Sequence, residues 1–372
     1  MAFLYENLLL ITWQQIIMWG IGGILIYLAI AKEMEPSLLL PIGFGAILVN
    51  MPFSGAVNQY INGVLQEGAL STLYDAGIVN ELFPLLLFIG IGAMCDFGPL
   101  LSNPILMMFG AAAQFGIFLT LVVGSMFFPI NDAAAIATIG AADGPTAIVV
   151  AQVLKSQYLS AIMVAAYSYM ALVPIIQPPV IRLLTSREER RIRMDYEPKT
   201  VSRTTRILFP IIITIVAGII APASVALVGF LMFGNLLKEC GVLNSLADTA
   251  QGPLANIITI FLGIAVASQM QAQQFLQVQT LMILALGLFA FIFDTAGGVL
   301  FAKFLNLFLK KKINPMIGAA GISAFPMSGR IIHKMGLEED NQNFLLMHSM
   351  GVNVSGQIAS VIAGGLIMSL FM

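Results

Sequence analysis

One acidic residue lies in an apolar part of the chain that contains few other charges. This residue, Asp143, belongs to the stretch IGAADGPTA and is followed directly by Gly144 and Pro145. Proline lacks a backbone N–H and disfavours helical backbone at the residue before it, so the chain should unwind beside the carboxylate. A carboxylate and unwound carbonyls are hard oxygen ligands that suit a small cation. The sequence therefore predicts an ion or proton site at Asp143, against the alternative of a buried acid paired for structural reasons.

A second polar interruption of the same kind occurs later, in INPMIGAAGISAFPMSGRIIHKMG. Where the first stretch has Asp143 the second has Gly321, so Asn314 and Ser323 would offer only neutral oxygens. Arg330, near the end of this stretch, has two interpretations. It is either an interfacial anchor that extends to water or a planar, two-pronged donor for a carboxylate that arrives from the cytoplasm.

Further polar side chains occur in apolar spans near these stretches. Tyr167 and Tyr169 lie in AAYSYMALVPIIQPP, and Asn353 lies in MHSMGVNVSGQ. Each is able to form an interhelical hydrogen bond as part of helix packing, but the position after an interrupted stretch favours a functional role for Tyr169 and Asn353. Asp294, in FIFDTAGG, is another acid within a span. The sequence leaves open whether Asp294 forms a second ion site or a structural contact.

The composition indicates what kind of protein must position these groups. Of 372 residues, 59% are apolar and only 10% are charged, whereas soluble domains have about 25% charged residues. A mean hydropathy of +0.93 and 34 glycines are typical of a polytopic membrane protein. The net charge of −2 excludes a basic surface for nucleic acid, and two Cys with two His exclude a structural zinc site.

Ten apolar stretches are candidates for membrane-spanning helices, which need about 20 residues. Two further apolar stretches, 131–154 and 314–336, are interrupted in the middle by Gly, Pro and polar residues. We predict an all-α polytopic membrane protein with about ten transmembrane helices and two re-entrant hairpins, one at each interrupted stretch. The candidate spans are 14–31, 37–51, 81–97, 104–127, 158–181, 206–221, 222–237, 254–268, 280–300 and 343–370.

The distribution of basic residues predicts which loops face the cytoplasm. The polar stretch 185–206 holds seven Lys or Arg, and such residues concentrate in cytoplasmic loops. If both interrupted stretches enter and leave the membrane on one side, only Lys155 of the 17 basic residues falls outside. If either stretch crossed the membrane, every loop beyond it would change sides. The linker at 186–205 is therefore predicted to be cytoplasmic, with both termini outside.

The order of elements repeats along the chain. IGAA occurs at 139–142 and again at 317–320, each time inside an interrupted stretch. Five predicted crossings separate the two copies, and an odd number inverts the second one. Inverted repeats with broken helices that meet near the midplane are the architecture of secondary transporters. We therefore divide the chain into an N-terminal segment with the first helix (1–35), a first repeat (36–185), the linker, and a second repeat (206–372).

Several motifs together resemble one protein family across nearly the whole chain. The motifs are GAADGPTAIV, VAAYSYMALVPIIQPP, FDTAGGVLFAK, NPMIGAAGISAFPMSGR and NFLLMHSMGVNVSGQIAS. They are similar to the beta subunit of the biotin-dependent sodium-pumping decarboxylases that act on oxaloacetate, methylmalonyl-CoA, glutaconyl-CoA or malonate. The resemblance implies that carboxybiotin on a partner subunit is decarboxylated here, with consumption of a proton, while Na+ moves outward.

The resemblance also implies which residues act. The family's functional positions correspond to Asp143, Tyr169, Asn314, Gly318, Ser323, Arg330 and Asn353. The expected Na+ ligands are Asp143, Asn314, Ser323 and Asn353, and a second ion would use Tyr169 with unwound carbonyls. Arg330 would orient carboxybiotin, and Arg330, Tyr169 and Asp143 are the expected catalytic residues. Either Tyr169 or water bound to arginine would relay the proton.

The resemblance finally implies partners and a location. We expect a biotin carrier subunit, a carboxyltransferase alpha subunit and a small single-span membrane subunit, in the plasma (inner) membrane of a prokaryote. Biotin would not be attached to this chain, and we expect a homo-oligomer, for which a trimer is one form. The alternative, favoured by fold class alone, is a secondary sodium-coupled carboxylate symporter or Na+/H+ antiporter, which would need no biotin.

Overall fold

The computed structural model describes residues 10–61, 63–195 and 200–372. Within these residues the chain is almost entirely helical, and its β-structure is a short hairpin of two antiparallel strands, β1 (Gln59–Ile61) and β2 (Val64–Gln66). Helices predominate because a helix satisfies its backbone hydrogen bonds internally, which a segment in lipid requires. The prediction of an all-α polytopic membrane protein is confirmed.

The described residues before the linker form ten α-helices. A 3-10 turn at Thr138–Ala141 extends α8, and a π turn at Asp75–Val79 extends α3. In chain order the helices are α1 (Trp13–Ala31), α2 (Pro36–Val49), α3 (Ala69–Tyr74), α4 (Leu82–Met94), α5 (Gly98–Ser102), α6 (Leu106–Ala113), α7 (Phe115–Gly124), α8 (Ile130–Ala137), α9 (Gly144–Val153) and α10 (Leu159–Leu184).

The described residues from the linker onward form nine more. Two 3-10 segments, Pro222–Ser224 and Pro315–Gly321, and a π turn at Ala250–Leu254 accompany them. The helices are α11 (Arg187–Arg190), α12 (Arg203–Ile220), α13 (Val225–Glu239), α14 (Asn244–Thr249), α15 (Ala255–Ala267), α16 (Ala272–Phe275), α17 (Val278–Leu305), α18 (Met327–Glu339) and α19 (Leu346–Phe371).

Among the described residues, seven helical stretches are long and apolar enough to cross a membrane, two of them formed by α6 with α7 and by α14 with α15. The number is eight if α3 and α4, bent by 63°, form one span. Each of the ten predicted spans overlaps a helix. However, α2 and α13 have only 14 and 15 residues, so a full crossing by either of them stays a prediction. Few side chains of α1 and α12 are buried, as expected for helices that face lipid, whereas α17 and α19 lie in the core.

The first interrupted stretch folds back on itself. Its two ends meet, because Asp132 Oδ1 accepts hydrogen bonds from Ser156 Oγ at 2.6 Å and from the Gln157 backbone N–H at 3.2 Å. Between these ends, α8 and its 3-10 turn lead to Ala142, which has left-handed backbone with a φ of 52°, and α9 then leads back. The stretch therefore has the geometry of a re-entrant hairpin, which we call hairpin 1.

The second interrupted stretch also begins and ends at one place. At its start, Asn314 Nδ2 donates to the carbonyls of Arg190 and Ile192 at 2.8 and 2.9 Å. Beyond its end, Asn343 Nδ2 donates to the same Arg190 carbonyl at 2.9 Å. The linker thus binds both ends of this stretch, which we call hairpin 2.

Hairpin 2 packs against α17 at a contact between two backbones. A Cβ atom added at Gly318 would lie 2.0 Å from the carbonyl oxygen of Gly298, and one added at Gly298 would lie 2.0 Å from that of Gly318. No side chain fits this space. The prediction that Gly318 is important therefore has a physical basis in packing, since glycine at both positions allows the close approach.

The loops form two groups according to their contacts. At one end of the molecule, Asn50 Nδ2 donates to the Met270 carbonyl at 2.7 Å, and Ser160 Oγ donates to Gln269 at 2.6 Å. These residues lie in or beside the loops predicted outside. At the other end, the linker contacts hairpin 2. This grouping agrees with the predicted topology, while the side of the membrane that each end faces stays a prediction.

Candidate functional site

The tips of the two hairpins meet inside the bundle. The backbone N–H of Ser323, in hairpin 2, donates to the carbonyl of Ala141, in hairpin 1, at 2.9 Å. Beside this contact lies a cavity of about 200 Å³, and its lining includes Asp143, Ser323 and Tyr167. The two segments that the sequence singles out as interrupted are therefore joined at one site, which we call the tip site.

Asp143 is buried and serves as the N-cap of α9. Its Oδ1 accepts the backbone N–H of Thr146 at 3.3 Å, and its Oδ2 accepts the hydroxyls of Thr146 at 2.7 Å and Ser360 at 2.9 Å. The backbone is unwound as expected, but at Ala142 and Asp143. Gly144 is already helical, because proline is well tolerated at the first positions of a helix and Pro145 occupies one of them.

One face of α19 contacts both hairpin tips. Asn353, Gln357 and Ser360 are spaced by four and three residues, so they lie on one side of the helix. Ser360 binds Asp143 in hairpin 1, and the side-chain amide of Gln357 donates to the Ser323 carbonyl in hairpin 2. This face therefore positions the two tips relative to each other.

The unwound backbone of hairpin 2 is held by the same helix. Asn353 Nδ2 donates to the carbonyls of Ala320 and Ile322 at 3.1 and 2.8 Å. Ser323 Oγ donates to the Gly356 carbonyl at 2.9 Å. The amide oxygen of Asn353 is buried and has no hydrogen-bond partner in the part of the chain that the structure describes. A free, buried oxygen of this kind is available to a cation.

The two tyrosines of α10 face different surroundings. Tyr167 lines the cavity together with Asp143, and its buried hydroxyl has no hydrogen-bond partner among the described residues. Tyr169 instead donates its hydroxyl to the Leu284 carbonyl on α17 at 2.5 Å. Residues two apart in a helix point about 200° apart, which explains the difference. The structure therefore brings Tyr167 to the tip site and places the Tyr169 hydroxyl on α17.

Asn314 lies apart from the other predicted ion ligands. It caps the 3-10 segment of hairpin 2, with Oδ1 accepting the Met316 N–H at 3.1 Å, and its amide N–H groups bind the linker carbonyls. The seven residues Pro315–Gly321 separate it from the tip, and a 3-10 helix rises about 2 Å per residue. The structure therefore brings Asp143 and Ser323 to the face of α19 that carries Asn353, and it leaves Asn314 at the linker.

Asp294 is fully buried at a break in a neighbouring span. Its Oδ1 accepts the backbone N–H of Ile117 at 3.0 Å, where Gln114 separates α6 from α7. Its Oδ2 has no hydrogen-bond partner among the described residues and lies against Gly140, where an added Cβ would be 2.5 Å away. The contact with Ile117 supports the structural interpretation, and a second ion site at Asp294 stays a prediction.

The cavity extends from the tip site to Glu35, at the start of α2. Burial raises the pKa of the Glu35 carboxyl above its ordinary value, and the nearby positive charge of Arg330 partly opposes this shift. Arg330 itself is exposed, in the first turn of α18. The cavity thus extends from the buried Asp143 carboxylate at the tips to the Glu35 carboxylate, which lies near the exposed guanidinium of Arg330.

Ion pairs join the linker to the C-terminal end of α18, just beyond hairpin 2. Arg190 pairs with Glu339 at 2.7 Å, and Arg193 pairs with Asp340 at 2.5 Å. The hydrogen bond from Arg190 holds the pKa of the Glu339 carboxyl below its ordinary value. Because Arg190 and Glu339 are partly buried, we expect their pair to contribute more than a fully exposed ion pair does.

Sequence reasoning missed four residues of the site. Thr146 and Ser360 bind Asp143, Gln357 binds Ser323, and Glu35 lines the cavity. The spacing of Gln357 and Ser360 from Asn353 was a signal available in the sequence. Glu35 gave a weaker signal, as an acid directly before the first proline of a span.

Comparisons with known proteins bear on this arrangement. A family model described as the Na+-transporting oxaloacetate decarboxylase beta subunit matches residues 14–371. The methylmalonyl-CoA decarboxylase subunit beta of Propionigenium modestum is 48% identical, over 96% of this chain and 94% of that protein. A probable oxaloacetate decarboxylase beta chain of Vibrio cholerae is 45% identical, over 97% and 96%. The methylmalonyl-CoA decarboxylase subunit beta of Veillonella parvula is 47% identical, over 98% and 95%.

Proposed function

We propose a function for this chain from the premise that it belongs to the family of Na+-transporting oxaloacetate decarboxylase beta subunits. The chain is a membrane subunit of a sodium-pumping decarboxylase. At this chain, carboxybiotin carried by a partner subunit loses CO2 and a proton is consumed, and this reaction drives Na+ outward. The observation that carries the proposal is the cavity that extends from Glu35, near Arg330, to Asp143 at the hairpin tips.

The tip site provides oxygen ligands for Na+ as the transported ion. The Asp143 carboxylate supplies one negative charge, which matches a monovalent cation, and Ser323 and Asn353 supply neutral oxygens. Tyr167 adds a hydroxyl that has no partner among the described residues. Carboxylate, hydroxyl and amide oxygens are hard ligands that suit small cations, whereas sulfur and imidazole ligands suit transition metals. We propose these four residues as the Na+ ligands and leave Asn314 with its role at the linker.

Arg330 is the proposed group that receives the carboxylate. Its planar guanidinium binds a carboxylate with two parallel N–H donors, and its exposure makes it accessible to a carrier subunit. When carboxybiotin loses CO2, its ureido nitrogen is left as an anion and takes up one proton. The guanidinium stabilises this anion, because a fixed positive charge beside developing negative charge lowers the barrier.

We propose Tyr167 in place of Tyr169 as the proton relay, because the Tyr167 side chain lines the cavity whereas the Tyr169 hydroxyl is bound to the Leu284 carbonyl. We expect Tyr167→Phe to lower kcat by about 100-fold, since acid–base groups contribute about 10²–10⁴-fold. We expect Tyr169→Phe to cost about 0.5–1.5 kcal/mol of stability, the net contribution of the lost hydrogen bond to the Leu284 carbonyl, with kcat little changed. The measurements are kcat, its solvent isotope effect and the thermal midpoint. A loss of turnover only in Tyr169→Phe, at unchanged stability, would assign the relay to Tyr169 instead.

The wider assembly follows from the same premise. We propose that a biotin carrier subunit, a carboxyltransferase alpha subunit and a small single-span membrane subunit accompany this chain in the plasma membrane of a prokaryote. The linker would face the cytoplasm, where the carrier arrives, and both termini would face outside. Copies of the chain are proposed to associate, with a trimer as one form.

Coupling between biotin and sodium tests the proposed function. In proteoliposomes, the complex should release CO2 from free carboxybiotin, Na+ should stimulate this release, and radioactive Na+ should move across the membrane in step with it. A secondary transporter would behave differently. If liposomes that contain this chain exchange Na+ for H+, or take up a carboxylate with Na+, without any biotin, the symporter or antiporter alternative replaces the proposal.

A further inference from the structure

We propose that the positive charge of Arg330 compensates the negative charge of Glu35 through space. Binding of a substrate carboxylate to Arg330 then leaves Glu35 uncompensated, so that Glu35 attracts Na+ into the cavity. This inference rests on the proposed function. It assigns a role to the segment before α2, a part of the chain for which the sequence motifs provide none. Three observations support it.

The position of Glu35 is the first observation. Glu35 and Asp143 are the charged residues among those that line the cavity, and no Lys or Arg is found in that lining within the described residues. A cavity whose walls carry charge of one sign concentrates counter-ions. The electrostatic field of the cavity therefore favours a cation, and Glu35 lies where α2 begins, far along the chain from both hairpins.

The backbone of Glu35 is the second observation. Its φ of 35° and ψ of 60° lie in the left-handed region, which is unfavourable for a residue with a side chain. The conformation is stabilised because the Glu35 carbonyl accepts the N–H groups of Leu38 and Leu39, both at 3.0 Å. Strained backbone of this kind clusters at functional sites. Here it starts α2 and places the Glu35 side chain at the cavity.

Arg330 provides the third observation. Its backbone N–H donates to the Pro326 carbonyl at 3.3 Å, and Pro326 lines the same cavity as Glu35. The positive charge of Arg330 counteracts the effect of burial on the Glu35 carboxyl. The two groups are not in contact, since Arg330 forms no ion pair within the described residues. An exposed guanidinium that balances a carboxylate through space remains free to bind a second carboxylate. Arg330 is therefore able to change partners without breaking an ion pair.

The sequence of charge changes gives the coupling. Without substrate, the positive charge of Arg330 compensates Glu35, and the cavity attracts Na+ weakly. When Arg330 binds the carboxylate of carboxybiotin, its charge is neutralised and that of Glu35 is no longer compensated. After CO2 has left, the positive charge of Arg330 again compensates Glu35, and the attraction of the cavity for Na+ becomes weaker. By linkage, Na+ must then strengthen substrate binding by the same factor as substrate strengthens Na+ binding.

The test uses this reciprocity in the whole complex. We expect the apparent KM for free carboxybiotin to fall about 5–10-fold between low and saturating Na+ in the wild type, a coupling at the low end of those usual between sites. In Glu35→Gln this change should shrink to less than about twofold, whereas Glu35→Asp should retain it. The matched control is Glu33→Gln. Glu33 is an exposed glutamate of the same loop, and its backbone also has a positive φ.

The outcomes separate this inference from the function on which it rests. If the wild type releases no CO2 from carboxybiotin, the proposed function fails. If the wild type is active and Glu35→Gln responds to Na+ as Glu33→Gln does, only the role of Glu35 is overturned. If Glu35→Gln folds but is inactive, equilibrium binding of radioactive Na+ without carboxybiotin decides. If Glu35→Gln binds Na+ as tightly as the wild type does, the exchange of partners is supported. If Glu35→Gln loses most of its Na+ affinity, Glu35 is a permanent Na+ ligand and the inference is overturned.

Discussion

Replacement of Asp143 by asparagine is expected to abolish Na+-stimulated turnover while the chain still folds and assembles. Asparagine retains the shape of the side chain but not the charge that faces the ion. Removal of one partner of a buried charge pair costs about 3–5 kcal/mol, which corresponds to at least about 100-fold in apparent Na+ affinity. The hydrogen bonds from Thr146 and Ser360 allow one amide oxygen to keep part of the capping interaction.

The measurement is the Na+ concentration dependence of CO2 release, together with uptake of radioactive Na+ into proteoliposomes. Asp132→Asn is the matched control. Asp132 is a second buried acid of the same hairpin, but it ties the two ends of hairpin 1 together and does not line the cavity. We expect Asp132→Asn to lower stability without a change in Na+ affinity. Wild-type Na+ dependence in Asp143→Asn would remove this carboxylate from the ion site.

Replacement of Arg330 by lysine is expected to raise the apparent KM for the carboxylated carrier by about 10–100-fold. Lysine keeps the positive charge but loses the planar fork, and hydrogen bonds to charged groups are worth about 1.5–3 kcal/mol. A group that serves only as an interfacial anchor would tolerate the exchange, because both side chains extend to water in the same way. This prediction therefore decides between the two interpretations of Arg330.

The control for this experiment is Arg182→Lys. Arg182 is also an exposed arginine and pairs with Glu338, on the same helix as Arg330. Its guanidinium already pairs with Glu338, so its replacement should leave KM within about twofold of the wild type, as surface ion pairs contribute little. Unchanged affinity for the carrier in Arg330→Lys would assign Arg330 to the membrane interface.

Much of the fold could be predicted from the sequence because the membrane leaves few alternatives. A span must be long and apolar, and polar backbone at that depth must lie inside the protein, so Gly, Pro and Asp in 131–154 indicate a broken element. The excess of basic residues in one set of loops required this stretch and 314–336 to turn back. The contact of Asp132 with Ser156, and the binding of Asn314 and Asn343 by one linker carbonyl, agree with that requirement.

Part of the tip site was predictable because charge is rare in this chain. Asp143 is conspicuous in an apolar stretch, whereas Gln357 and Ser360 resemble the many polar residues that join membrane helices. Side-chain direction was harder to predict. Tyr167 and Tyr169 are both next to an interrupted stretch, and only the rotation of α10 places one in the cavity and the other against Leu284. Asn314 belongs to the motif of hairpin 2, yet its 3-10 segment leads it away from the tip.

The hydrogen bond between the hairpin tips has a consequence for leakage. It joins the N–H of Ser323 to the carbonyl of Ala141, so both partners are backbone groups. Ordinary side-chain substitutions leave such a bond in place, and only proline, which lacks the N–H, would delete it. The contact between the tips therefore depends on chain geometry more than on residue identity. We expect substitution of the ion ligands around the tips to leave passive sodium flow across the membrane unchanged, because this contact does not depend on their side chains.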